Sequence, residues 1–143
     1  MDAQRVAPKL WMGSYPDGPV PGMDVLVLCA EELQDHPHPA VLRVPLDDAR
    51  PTDREVALAK RAALRVNALR RQGKRVLVTC AMGINRSGLV TALALVFDGH
   101  SGEEAIRAVR QGRKHPSGML ALRNPYFCQV ILATARTTSS VHA

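Results

Sequence analysis

Val76-Leu77-Val78-Thr79-Cys80-Ala81-Met82-Gly83-Ile84-Asn85-Arg86-Ser87-Gly88-Leu89-Val90 is the stretch that decides the fold. It begins with a short valine-rich apolar run, which predicts a buried strand. It ends by opening a second apolar run, Leu89 to Phe97, long enough for a helix. Cys80 thus sits where a strand ends, and Arg86 where a helix begins. Backbone N–H groups in such a loop can turn inward, and the helix N-terminus adds partial positive charge. The result is a nest for an anion the size of phosphate, onto which Arg86 can add a bidentate fork. The same field favours the thiolate of Cys80. Free cysteine titrates near ~8.5, and reactive cysteines at helix N-termini reach roughly 3.5–7.5. A shift of about three units is worth roughly 4 kcal/mol. A thiolate nucleophile facing a bound phosphate points to phosphoryl transfer through a phosphocysteine. The competing reading is a buried structural cysteine beside a surface arginine.

Upstream, Lys9 to Ser14 reads as a first strand, ended by the turn cluster Tyr15-Pro16-Asp17-Gly18-Pro19. Asp24 to Cys29 is continuous and β-branched, a strand buried on both faces. Ala30-Glu31-Glu32-Leu33 is expected to begin a short helix. His36-Pro37-His38-Pro39 is a rigid extended loop, and no further ligand cluster accompanies its two histidines, so no metal is assigned. Ala40 to Pro45 is a third strand, followed by a polar turn, Leu46-Asp47-Asp48-Ala49-Arg50-Pro51. Thr52 and Glu55 form a capping box, after which Val56, Ala59, Ala63, Val66 and Leu69 recur at helical spacing until Gly73. The face carrying Arg54, Lys60, Arg61, Arg65, Arg70 and Arg71 is expected to be solvated.

Downstream, Ser87 is expected to cap the helix that ends at Asp98-Gly99. Ser101 and Glu104 make a second capping box, and Gly112 stops that helix, with Ala105, Ile106, Ala108 and Val109 facing inward. Asn124-Pro125 opens a last helix, docked by Tyr126, Phe127, Val130 and Ile131. Thr137 to Ala143 reads as a frayed tail.

The composition fits one domain. A chain of 143 residues with 46% hydrophobic and 22% charged residues can bury a core. No apolar run reaches the ~20 residues of a membrane span, and the first residues lack a signal-peptide core. Three widely spaced cysteines make neither a disulfide framework nor a zinc pattern. A reactive Cys80 suits a reducing compartment, so a cytoplasmic protein is expected. The net charge of +6 is dispersed, and aromatics are only 3% of the chain, which leaves little for stacking on bases.

The segment C-A-M-G-I-N-R-S resembles the C-x5-R-[ST] signature loop of the cysteine-dependent protein tyrosine and dual-specificity phosphatases, matched at Cys80, Gly83, Arg86 and Ser87. The opening strand resembles the family's "L-x-x-G-s" element. The resemblance implies the compact dual-specificity type: a single α/β domain over 1–136, followed by a flexible tail over 137–143. Its sheet is expected to be mixed, mainly parallel and four- to five-stranded, flanked by helices. It implies a metal-independent phosphatase without cofactor that hydrolyses phosphotyrosine, and phosphoserine or phosphothreonine, in proteins. Cys80 would be the nucleophile, with Ala81, Met82, Gly83, Ile84, Asn85 and Arg86 holding the phosphate. Ser87 would support the leaving thiolate. The family form P-x-x-D places the general acid at Asp48, 32 positions before Cys80, with Asp47 as the alternative. Arg110, Arg113, Lys114 and His115 would shape a basic entrance. Thr79 stands where the family usually has histidine, so a less acidic thiolate is expected.

The loop carries no lysines of the phosphoinositide type. Its G-I-N-R-S-G portion also resembles the RNA 5′-phosphatase branch, which makes nucleic acid the alternative substrate to a phosphorylated protein. A weakly active phosphate-binding pseudophosphatase is the second alternative. A rhodanese-like sulfur carrier would leave the acid loop and Ser87 without a role. No membrane partner is expected, and the sequence carries no sign of oligomeric state.

Overall fold

The computed structural model describes residues 1–142, with side chains through Thr138. Five strands, β1 (Ala3–Ala7), β2 (Leu10–Ser14), β3 (Val25–Ala30), β4 (Val41–Leu46) and β5 (Val76–Cys80), form one sheet in the order β1-β2-β5-β3-β4. The β2–β5, β5–β3 and β3–β4 pairs are parallel, and only β1 runs antiparallel, against β2. This is the mixed, mainly parallel α/β sheet the sequence predicts. Every residue of β3 and β5 is buried, as expected for central parallel strands that read as unbroken apolar runs. Pro45 is tolerated in β4 because that strand has one open edge.

Four helices complete the chain: α1 (Asp53–Arg71), α2 (Arg86–Phe97), α3 (Gly102–Gly112) and α4 (Pro125–His142). Val25, Val27 and Cys29 of β3 and Val76, Val78 and Cys80 of β5 point into one core with residues of all four helices. The alternate residues Leu26, Leu28 and Leu77 point the other way, where Val20, Tyr15 and Met23 of the β2–β3 loop cover them. Helix α2 is the hub of the larger core: from Arg86 to Val96 every residue is buried. The four helices and the sheet thus leave the carboxyl ends of β3, β4 and β5 together at one end, the usual place for a ligand in an open α/β sheet.

Several local expectations are met. Thr52/Glu55 and Ser101/Glu104 are both complete capping boxes. Asn124 Oδ1 accepts from the N–H groups of Tyr126 and Phe127 at 3.0 and 3.3 Å, capping α4. Others are corrected. The antiparallel strand β1 is an addition, a polar strand whose A-Q-R-V-A lacks an alternating pattern. Ala30 to Leu33 is a turn and no helix forms. The Gln34 amide donates to the carbonyls of Leu28 and Ala30, and the prolines that follow stop any helix. Arg70, expected to be solvated, bonds Asp98 at 2.7 Å and the Pro8 carbonyl at 3.0 Å. Tyr126 is 43% exposed, so Phe127 and Ile131 dock α4 without it. The expected tail continues α4 to His142, while Ala143 lies outside the described residues. The rings of His36 and His38 are engaged with backbone groups, namely the carbonyls of Gly18, Ala40 and Met23 and the N–H groups of His38 and Ala40.

Candidate active site

Residues 81–85 leave the end of β5 as an irregular loop and enter α2 at Arg86. The carbonyls of this loop all find partners outside its hollow. Ala81 O accepts from the Tyr15 N–H, Ile84 O from Leu122 N–H and Asn85 O from Leu89 N–H. Met82 O accepts from Arg113 Nη2 at 2.8 Å and from Ser14 Oγ at 3.2 Å. Gly83 O accepts from Arg113 Nε at 2.9 Å. A trans peptide points its C=O and the next N–H in opposite directions. With the carbonyls of 81–85 turned outward, the N–H groups of Met82 to Arg86 turn toward the hollow, making an anion-binding nest at a helix N-terminus.

Gly83 makes this shape possible. Its φ is +67°, and a Cβ there would stand 2.5 Å from the Gly13 carbonyl. Behind it lies Arg113, fully buried, which also pairs with Asp2 through Nη1 at 2.7 Å and Nη2 at 2.8 Å. The Arg113 guanidinium, opposed in part by burial, holds the Asp2 carboxyl down at about 2, and Ser14 assists. Arg113 is therefore a prop behind the loop and not part of a basic entrance. Arg110 likewise turns to the carbonyls of Ala121 and Leu122.

A cavity of about 250 Å³ opens in front of the loop, lined by Asp48, Cys80, Ala81, Met82, Ile84, Asn85, Arg86, Met119 and Arg123. Of the four residues expected at the entrance, none lines it. Gly83 forms the loop's back, and Arg123 and Met119, which the sequence did not single out, form the rim. Cys80 is 4% exposed, and its Sγ lies 3.2 Å from Ser87 Oγ. Ser87 does not cap α2: Asn85 holds the N-cap position, without a side-chain cap bond. Thr79 is fully buried and donates to the Val27 carbonyl at 3.0 Å. It ties β5 to β3, leaving the loop alone. The neighbouring thiol, Cys29 at the end of β3, is fully buried, and burial pushes its titration well up, with a further push from Cys80.

Arg86 is 7% exposed. Its Nη1 donates to Glu32 Oε1 at 2.5 Å and to the Leu46 carbonyl at 3.2 Å, and its Nη2 to Glu32 Oε2 at 3.0 Å. Of the five donors of a guanidinium, this leaves Nε–H and one Nη2–H, a parallel pair that fits two oxygens of an oxyanion. Burial works against the Arg86 charge, but Glu32, Cys80 and Asp48 outweigh it and raise its titration. Glu32 in turn is lowered by its bond to Arg86. Glu32 escaped the sequence reading because it lay in a presumed helix. Its one signal was a carboxylate just past a buried strand.

Asp48 lines the cavity, and its carboxylate accepts from Asn85 Nδ2 at 2.9 Å and Asn124 Nδ2 at 3.0 Å. Asn124 N–H donates back to Asn85 Oδ1 at 2.9 Å, closing the triangle. Asp47 faces elsewhere: its N–H donates to Glu55, and its side chain does not reach the cavity.

The profile of the dual specificity phosphatase catalytic domain matches residues 20–130. The chain belongs to that family. Among solved structures, a mouse putative dual specificity phosphatase complexed with zinc tungstate superposes with a TM-score of 0.85. It shares 24% identity over 99% of this chain and 91% of that one. Human DUSP28 is also 24% identical, with a TM-score of 0.80 over 97% of this chain and 96% of its own. Tk-PTP in the active form is 23% identical, with a TM-score of 0.76 over 94% and 97% of the two chains. At these identities the likeness speaks to the fold. No curated protein sequence matches the chain. Among the described residues, no helix of this phosphatase-family chain is long and apolar enough to cross a membrane.

Proposed function

We propose that this dual-specificity-type phosphatase hydrolyses phosphotyrosine, and phosphoserine or phosphothreonine, in proteins through a phosphocysteine, without a metal. The observation that carries this reading is the outward turn of every carbonyl from Ala81 to Asn85, opposite a cysteine at the strand tip. The nest and the free edge of Arg86 hold three phosphoryl oxygens, which places phosphorus in line with Cys80 Sγ. The thiolate attacks phosphorus, an S–P bond forms and the ester P–O bond breaks. The leaving oxygen takes its proton from Asp48. Water then attacks phosphorus, giving a proton back to Asp48. The S–P bond breaks, and the departing thiolate is met by the Ser87 hydroxyl, 3.2 Å away. Asp48 is favoured over Asp47 because it alone of the two lines the cavity.

A protein substrate is favoured over RNA because the cavity wall carries methionines and an isoleucine, with no aromatic ring for a base to stack on. The test is hydrolysis of p-nitrophenyl phosphate, a phosphotyrosine peptide and a 5′-triphosphorylated RNA in the presence of a chelator. The ester and the peptide should turn over, sensitive to vanadate, and Cys80→Ser should abolish both. Undiminished activity of Cys80→Ser would falsify the mechanism. Faster turnover of the RNA than of the peptide would reverse the substrate assignment.

A further inference from the structure

Arg123 stands on the rim of the cavity and is exposed. Among the described residues it makes no hydrogen bond or ion pair, whereas Arg86, Arg110 and Arg113 nearby are each held by several acceptors. Its position runs against local stability in two ways. Leu122, just before it, has a φ of +58°, a conformation costly for a branched residue. Asn124, just after it, caps α4, so Arg123 places a cation beside the positive end of a helix dipole, where anions are preferred. The surroundings enforce the conformation. Leu122 is fully buried, its N–H donates to the Ile84 carbonyl at 3.0 Å, and its carbonyl accepts from Arg110 at 2.9 Å. Strain kept at a cavity mouth by its neighbours is a mark of function. Here it mounts an unpaired cation on rigid backbone, at the same cavity that holds the nest and Arg86.

We infer that Arg123 is a second anion subsite, and that the preferred substrates are phosphotyrosine segments with a carboxylate side chain next to the phosphotyrosine. This rests on the phosphatase reading above. The phosphoryl group fills the nest, the phenyl ring lies between Met82 and Met119, whose thioethers suit an aromatic face, and the neighbouring carboxylate meets the Arg123 guanidinium. A partly exposed pair of this kind is modest and sensitive to salt.

The test compares two phosphotyrosine peptides that differ only in Glu or Gln beside the phosphotyrosine, using wild type, Arg123→Gln, Arg123→Lys and Arg65→Gln. Arg65, exposed on α1 and away from the cavity, controls for loss of overall charge. Wild type should show a Glu/Gln ratio in kcat/KM of about five at low ionic strength, falling toward one in high salt. Arg123→Gln should bring the ratio close to one, Arg123→Lys should retain part of it, and Arg65→Gln should keep all of it. A wild-type ratio near one, or a ratio that survives in Arg123→Gln, overturns the subsite while p-nitrophenyl phosphate turnover leaves the phosphatase reading standing. Failure of wild type to hydrolyse p-nitrophenyl phosphate overturns both. A dependence on Arg123 that is larger for 5′-triphosphorylated over 5′-monophosphorylated RNA than for the peptide pair overturns the acidic-peptide assignment.

Discussion

Glu32 grips Arg86 through both terminal nitrogens, at 2.5 and 3.0 Å, and fixes which edge of the guanidinium is left for a ligand. Glu32→Ala frees the guanidinium to rotate within its pocket. Hydrogen bonds to charged groups contribute about 1.5–3 kcal/mol, so kcat/KM for p-nitrophenyl phosphate should fall roughly 10- to 100-fold. Glu32 is half exposed, so Tm should move little. Steady-state kinetics and a thermal melt check both halves, and a large loss of Tm with normal kinetics would contradict the orienting role.

Arg113 presents the opposite case. It is fully buried and bonded to Asp2, Gln4, Ser14, Met82 and Gly83. Arg113→Met removes the prop, leaves the Gly83 carbonyl without its donor and leaves Asp2 with Ser14 alone. A buried acceptor left unpaired costs about 1–3 kcal/mol, and the lost pair with the partly exposed Asp2 adds about 1 kcal/mol, together on the order of 10 °C in Tm for a chain of this size. Differential scanning calorimetry measures it, and an unchanged Tm would show the loop to be self-supporting.

The Asp2 carboxyl titrates at about 2, below its ordinary 3.8, chiefly through its bonds to Arg113. The stabilisation is fully present above pH 3.8 and is lost as pH falls through about 2. Its size is of order 1 kcal/mol once solvent screening of the partly exposed carboxylate is allowed for. Denaturant midpoints at pH 6, 4 and 2.5 for wild type and Asp2→Asn should therefore converge as the pH drops. Curves that stay parallel would place the acid sensitivity elsewhere.

Asn85 and Asn124 both donate to Asp48. If they set the position of a general acid, Asn85→Ala should slow esters with poor leaving groups more than esters with good ones, by about tenfold across a phenol series. A uniform decrease would assign Asn85 to the loop alone.

Much of this was legible in order along the chain. The apolar runs of β3 and β5, both capping boxes and the Asn124-Pro125 start are set by contacts within a few residues. Of the two aspartates the sequence singles out, Asp48 lines the cavity and Asp47 does not. What was not legible depends on distant partners. Glu32 meets Arg86 across 54 positions, and Arg113 meets Asp2 across 111. Nothing local marks either as different from a solvated charge. The bond of the Thr79 hydroxyl was illegible for the same reason: its acceptor lies on β3, which only the strand order supplies.

Asp2 also carries a wider consequence. Through Arg113 it reaches the rear of Met82 and Gly83, so the polar strand β1 and the oxyanion cradle are mechanically one unit, and a disturbance of Asp2 is transmitted to the cradle from behind.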